Sequence, residues 1–496
     1  MDKLTVFLNR QVRKNYLVIG IVLIGFLLRV WNFQELFMYS HDQDLSAWAV
    51  LDIWERGHLR LIGQETSVSG VFIGAGYYYL LIPFYLLFGM SPLGGVFMSI
   101  VLGVFGVFSC YFVFKYITNE RIALVGSLIY ATSFLVVMTE REVVPTMPVF
   151  LWTSWYLYSL GLILKGKQQV GFILSAFLIG LAWHLNLALI ILAPLIIMAF
   201  VFSKKKLDLR AAFWGGIVLF VTNMPLLLFE MRHGFSQTKA IVGALMKSEN
   251  VSIDRLAKFD RVMQLVVTNV NRIFGMNLLD ISHLGVFYVA IGIVLFVGWA
   301  ELLGKKIWVL MATWLVLIPL FFTFNSINTS EYYLNAMTIV WILLVSTFIV
   351  KLRDYKKEIA WIVLAFIVGL GIKQFWGMNI NRSGYVEKRQ LVREIKKDAL
   401  VHGFPCVSVS YITDPGYDMG YRYLYRLEKM HVNRPSSESP VYSIVFPHSK
   451  VDRIDKSFGA LGLIFPDYGR YNEEKVKETC SGANSNLTDP LFGFPY

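Results

Sequence analysis

The chain has 496 residues, 56% of them hydrophobic and only 16% charged, which excludes an ordinary water-soluble protein and makes lipid the solvent for much of it. Its formal net charge of +12 falls largely on alternate junctions between apolar segments, which records membrane topology and contact with anionic lipid and speaks against a nucleic-acid partner.

The apolar windows fall in order at Tyr16–Trp31, Leu93–Phe114, Ile122–Met138, Met147–Leu164, Val170–His184, Leu187–Phe202, Ala211–Leu228, Leu284–Leu303, Ile307–Phe324, Ala336–Val350 and Ile359–Phe375. They predict an all-α polytopic bundle of about eleven transmembrane helices. The first window has no small-residue cleavage site after it and is expected to stay as a helix.

Lys3, Arg10, Arg13 and Lys14 precede the first window, and cations recur at every second junction, from Lys115 and Arg121 to Lys356 and Lys357. Short basic loops stay in the cytoplasm, so the N-terminus is expected inside and the cation-poor junctions outside. Gly76–Met90, "GYYYLLIPFYLLFGM", would invert that alternation if it spanned, and is expected to lie flat at the interface. Residues 33–92 thereby become one outer loop of interfacial helices, one of them Asp44–Arg56. Residues 229–283 form a second large outer loop with the amphipathic stretch "RVMQLVVTNVNRIFGM".

After Trp376 the composition changes, dividing a membrane domain, 1–376, from a small extracytoplasmic α/β domain, 377–496. In it "EKRQLVREIKKDAL" and "MGYRYLYRLEKM" read as helices and "CVSVSYI", "VYSIVFP" and "GALGLIF" as strands. Cys110 lies inside an apolar segment, which leaves Cys406 and Cys480 to form a disulfide or remain two thiols.

The first outer loop opens on "SHDQD", placing His41, Asp42 and Asp44 at the membrane's lip. A carboxylate there can take the proton of an attacking hydroxyl; the plain alternative is a solvated surface acid. Hard oxygen ligands at this cluster would also suit a divalent metal, Mg²⁺ or Mn²⁺.

"FLLRVWNF", "SHDQD", "AVLDIWERGHLRLIG" and "GAGYYYLLIPFYLLFGMSPLGG", followed by "LAWHLNLALIILAP" and "LLLFEMRHGF", resemble in order and spacing the family 39 type glycosyltransferases of the GT-C superfamily. These are the relatives of protein mannosyltransferases and of the lipid A aminoarabinose transferase. Arg29, Asp42 and the segment Tyr77–Pro83, with Tyr78 in it, match the family's opening. The resemblance implies inverting transfer of a sugar from a polyprenyl-phosphate donor to a glycan, lipid or protein acceptor on the outer face. It makes Asp42 the catalytic acid, with Asp44 as the alternative. Family members differ over whether they use a metal.

In "TEREVVPTMPVFLW" the second acid of the aminoarabinose-transferase pattern falls on Thr146, so Glu140 or Glu142, flanking Arg141, would have to substitute; a surface salt bridge is the plain reading. Arg232 and His233 in "FEMRHGF" are candidates to hold the phosphate, with a snorkelling arginine as the alternative. Tyr332 in "NTSEYYLNAM" is a candidate for the acceptor side, or a member of the aromatic belt. His184 reads as a core histidine. A plasma-membrane location follows if the source is prokaryotic. The competing readings are a lipid-linked sugar transporter or flippase, which would need polar residues through several spans, and a scaffold that has lost catalysis.

Overall fold

In a computed structural model, which describes residues 3–246, 255–279, 281–325, 329–380 and 382–488, each expected apolar window is helical. The helical part of the chain runs α1 (Lys3–Val30), α2 (His41–Arg56), β1 (Ile62–Glu65), β2 (Phe72–Gly74), α3 (Gly76–Leu87), α4 (Leu93–Ile117), α5 (Glu120–Thr132), α6 (Phe134–Thr139), α7 (Val149–Leu164), α8 (Gln168–Leu185), α9 (Pro194–Ser203) and α10 (Leu209–Arg232). It continues with α11 (Ser236–Met246), α12 (Arg255–Phe274), α13 (His283–Trp299), α14 (Lys305–Phe324), α15 (Glu331–Leu334), α16 (Thr338–Tyr355) and α17 (Lys357–Trp376).

Among the described residues, six helical segments, Glu331–Tyr355 counted as one, are long and apolar enough to cross a membrane, and five shorter apolar segments accompany them. Side chains such as Leu23, Phe220, Val221, Ile362 and Phe366 are exposed, which hydrocarbon tolerates and water does not. Helix α3, about 18 Å long at the usual rise, is too short to span.

Three elements differ from expectation for identifiable reasons. The window Ile122–Met138 breaks at Ser133, whose backbone is extended and whose hydroxyl donates to the carbonyl of Ile273, 2.7 Å away on α12. The window Leu187–Phe202 begins as a 3₁₀ turn, Leu187–Leu192, because Asn186 caps it by accepting from the Ala188 N–H at 3.1 Å and Pro194 has no N–H with which to continue the turn as α-helix. The segment 33–92 contains, besides its helices, an antiparallel hairpin of β1 and β2.

Beyond α17 the chain folds as α18 (Tyr385–Val401), β3 (Val407–Thr413), α19 (Arg422–Leu427), β4 (Val432–Asn433), β5 (Val441–Phe446), β6 (Lys456–Phe458), β7 (Leu461–Ile464), α20 (Glu473–Cys480) and α21 (Ser485–Thr488). The sheet order is β4-β3-β5-β7-β6; β3 pairs parallel with β4 and β5, while β7 runs antiparallel to β5 and β6. The predicted helix "MGYRYLYRLEKM" shrinks to the six residues of α19. Cys406 and Cys480 form a disulfide, and Cys110 is a buried free thiol.

This C-terminal region packs directly on residues 37–90. The Tyr385 N–H donates to the Phe37 carbonyl at 3.0 Å, the Tyr423 hydroxyl to the Met90 carbonyl at 2.8 Å, and Arg426 pairs with Glu55 at 2.5 Å.

Candidate functional site

Two adjoining cavities occupy the end of the bundle where the cation-poor junctions gather. The larger, about 420 Å³, is mostly apolar, walled by the β1–β2 hairpin, Trp183, the turn around Leu187–Ile191, Ile241 and Ala244 of α11, and Phe321 and Phe322 of α14. The smaller, about 290 Å³, is polar, with Thr139, Glu142, Asn269, Arg272, Glu331 and Asn335 on its walls. Thr146 and Tyr332 belong to both. An apolar chamber opening onto a polar one suits a molecule with an apolar tail and a polar head.

Helix α2 starts at Ser40, whose backbone N–H and hydroxyl both donate to Gln43 Oε1, at 2.9 and 2.8 Å. Asp42 and Asp44 therefore stand in its first turn, where the helix dipole favours negative charge. Their surroundings then diverge. Asp42 is half-buried and shares its electrostatic neighbourhood with Tyr78, Glu142 and Tyr332. Asp44 is buried; its Oδ1 accepts from the Tyr39 hydroxyl and from the Tyr423 N–H, both at 3.1 Å. Burial pushes the Asp44 carboxyl up to about 6, against the pull of these bonds and of Lys388 and Arg422.

Glu142 lines the polar cavity with its side chain exposed there, yet protein surrounds it closely. Desolvation holds its carboxyl above the usual glutamate value; Arg272 opposes that rise and the charge of Asp42 adds to it. Arg272 pairs with Glu331 at 2.5 Å. Asn269 donates to Asn335 Oδ1 at 3.0 Å, while its own Oδ1 is buried without a partner. The Tyr332 hydroxyl donates to Tyr333 at 3.0 Å, and Tyr333 reaches Ser67 of the hairpin at 3.0 Å, so α15 ties the two chambers together.

Glu140, Arg29 and Arg141 lie elsewhere. Arg29 is fully buried; its Nε donates to Glu140 Oε2 at 2.9 Å, with Nη2 bonded to the same oxygen. The Tyr130 hydroxyl serves Glu140 Oε1 at 2.5 Å. A Cβ on Gly103 would come within 2.6 Å of Arg29 Nε, and one on Gly106 within 2.7 Å of the Tyr130 hydroxyl, so α4 leaves no room for a ligand at this knot. Arg141 donates to the carbonyls of Leu28 and Trp31, at 3.3 and 2.6 Å, closing the C-terminal end of α1.

Tyr78 is buried in α3 beside Arg60. Arg232 and His233 are exposed at the end of α10 and line neither chamber; the His233 ring stacks on Phe229 and its Nδ1 donates to the Phe229 carbonyl at 2.8 Å. His184 is held as a core histidine: Nε2 donates to the Thr222 carbonyl at 2.8 Å and Nδ1 accepts from the Gly76 N–H at 3.1 Å. Among the described residues no three His, Cys, Asp or Glu side chains converge on a metal site.

Sequence reasoning missed Arg272, Asn269 and the hairpin wall. The signal for the first two was present: Val262, Val266, Val270 and Ile273 mark the buried face of α12, and "NVNR" interrupts it with polar groups where only a cavity or a partner could satisfy them.

Residues 75–229 match the family model described as dolichyl-phosphate-mannose-protein mannosyltransferase. No curated protein matches the chain by sequence. Among solved structures, the fold is similar to that of ArnT from Cupriavidus metallidurans bound to undecaprenyl phosphate, with 10% identity, 93% of this chain and 99% of that chain covered, and a TM-score of 0.61. It is also similar to the oligosaccharyltransferase of Archaeoglobus fulgidus in complex with zinc and sulfate, with 12% identity, 86% and 67% covered, and a TM-score of 0.50. At these identities the structural likenesses establish the fold, and the likeness to the mannosyltransferase family model is carried by residues 75–229, about a third of the chain.

Proposed function

We propose that the protein moves a sugar from a polyprenyl-phosphate donor to an acceptor hydroxyl on the extracytoplasmic face, with inversion, and that Asp42 is the base. The observation that carries the one-faced reading is the composition of the cavity walls; Asp42 lines neither chamber and enters through its electrostatic neighbourhood with Glu142 and Tyr332 of the polar one. They come from the hairpin loop, from residues 135–146, from 183–191, from α11 and α12, from the end of α14 and from the segment around α15. Each lies at the end of the bundle opposite the short basic loops, and those loops contribute nothing to either chamber. That one-sided opening favours an enzyme working at one face over a transporter, which needs access from both. A disulfide in the C-terminal domain agrees with an oxidising, extracytoplasmic side.

In this reading the prenyl tail enters from the apolar chamber and its phosphate meets Arg272, which gives up Glu331 to receive it. The acceptor oxygen attacks the anomeric carbon from the side opposite the phosphate. Its proton passes to a carboxylate oxygen of Asp42 as the new C–O bond forms, and the old C–O bond breaks with its electron pair leaving on polyprenyl phosphate. Phosphate departs without a strong general acid, so one base and one cation suffice. Glu142 and Tyr332 shape the acceptor side, with Thr146 between the chambers.

The test is the Asp42→Asn variant, purified in detergent and offered a panel of polyprenyl-phosphate sugars. Donor consumption should fall by about 10²-fold or more while the protein stays folded. Turnover at the unmodified rate would remove Asp42 from its role.

A further inference from the structure

The C-terminal domain touches α2 at one place with unusual chemistry. Asp44 and Lys388 are both buried there, at 7% and 2% exposure, in a region where an uncompensated charge is costly. Lys388 donates to the Met419 carbonyl at 2.7 Å and lies over the Tyr421 ring at 4.6 Å. The turn that follows presses on the start of α2: a Cβ on Gly420 would come within 2.9 Å of Lys388 Nζ and 3.1 Å of the Ser40 backbone. Gly420 also has φ +82°, which favours glycine. On the other side of Asp44, Tyr39 and Tyr385 meet edge to face at 5.7 Å. The first turn of α2, which carries Asp42, is thus gripped from both sides by residues far along the chain.

We propose that Asp44 is a positioning residue: through the Tyr423 N–H, with Lys388 as its buried counter-charge, it fastens the first turn of α2 to the C-terminal domain and so holds Asp42 in its reacting orientation. The inference rests on the reading of Asp42 as the base. Two positions in a helix differ by about 200° around the axis, so with Asp44 turned to the C-terminal domain Asp42 is turned away from it. The contact uses both hydrogen bonds on a single oxygen, Oδ1, which an asparagine side-chain carbonyl can reproduce and an alanine cannot. The charge opposite Lys388 is the part that asparagine loses. The C-terminal domain becomes a working part of the catalytic unit, since removing its grip would leave the base on a loose helix end.

The test compares Asp44→Ala, Asp44→Asn and Gly420→Ala in the full-length protein, reading kcat, donor KM and amide hydrogen exchange over residues 37–46. Misplacing a catalytic group by about an ångström costs up to about 10²-fold. Asp44→Ala is therefore expected to lower kcat by about tenfold or more with donor KM within about threefold, and to speed exchange over 37–46. Asp44→Asn should recover most of kcat. Gly420→Ala, which leaves Asp44 in place but wedges the contact, should reproduce the alanine phenotype. Unchanged kcat in both Asp44→Ala and Gly420→Ala overturns the proposal, as does an Asp44→Asn loss as deep as that of alanine with exchange unaltered, which would mark Asp44 as a chemical group. Should Asp42→Asn remain active, the base assignment falls separately, because exchange reads the grip without reference to turnover.

Discussion

Two clusters of acids and arginines stand near the same end of the bundle and have opposite characters. At the knot of Arg29, Glu140 and Tyr130, both carboxylate oxygens accept bonds from buried donors, and the backbones of Gly103 and Gly106 close over the group. At the polar cavity, Glu142 and Arg272 do not pair with each other; Arg272 is held by an exposed glutamate on a four-residue helix, and Asn269 keeps a buried oxygen unpaired. A charge whose bonding capacity is used up by the fold serves as a strut. One held by an exchangeable partner beside an empty volume is available to a ligand.

The largest effect should come from breaking the strut. Arg29→Ala leaves Glu140 charged and buried with one hydroxyl for company, and losing one partner of a buried pair costs about 3–5 kcal/mol, a large part of a typical protein's stability. The variant is expected to yield little folded protein in a detergent thermal-stability assay. Normal stability combined with lost transfer would instead bring the knot into the chemistry. Next in size is the cavity's cation. Arg272→Ala should raise donor KM by roughly 10–100-fold, the equivalent of a charged hydrogen bond, with thermal stability little changed because its present bond is exposed and worth at most about 1 kcal/mol. Arg232→Ala, at an exposed site outside both chambers, should stay within about twofold. If these two results were exchanged, the phosphate would belong at the end of α10.

That contrast also marks where sequence reading succeeds. Apolar runs and the change of composition after Trp376 are local signals, and the helices and the small sheet follow from them. The break at Ser133 left no local mark: "YATSFLVV" contains neither proline nor glycine, and the break is tied to Ile273 on α12, 140 positions away. The same holds for the acids. Glu140, Glu142, Asp42 and Asp44 look alike in sequence, and what separates them is distant: Arg29 lies 111 positions from Glu140, and Tyr423 lies 379 from Asp44. The resemblance singled out Asp42 by its place in an ordered series of segments, whereas Arg272 went unnoticed because its stretch was read only as amphipathic.

The finest distinction concerns Glu142, the acid of the cavity whose proton affinity is raised. Its carboxyl is displaced upward from the ordinary value of 4.5, first by desolvation and then by Asp42, with Arg272 opposing. A raised pKa means that the carboxyl keeps its proton to a higher pH than a free glutamate would. Below its pKa it is neutral and does not repel a donor phosphate approaching Arg272; as the pH rises through that value, a negative charge appears on the wall of the same chamber. Donor KM should therefore rise by a few-fold with pH across the window that begins near 4.5 and ends above the raised value. Glu142→Gln fixes the neutral state, so its donor KM should stay low and nearly flat over the same range, with kcat altered less than in Asp42→Asn. A parallel rise of KM in both proteins would place the titrating group elsewhere and return Glu142 to the role of a wall residue, leaving Arg272 without a competing charge to answer.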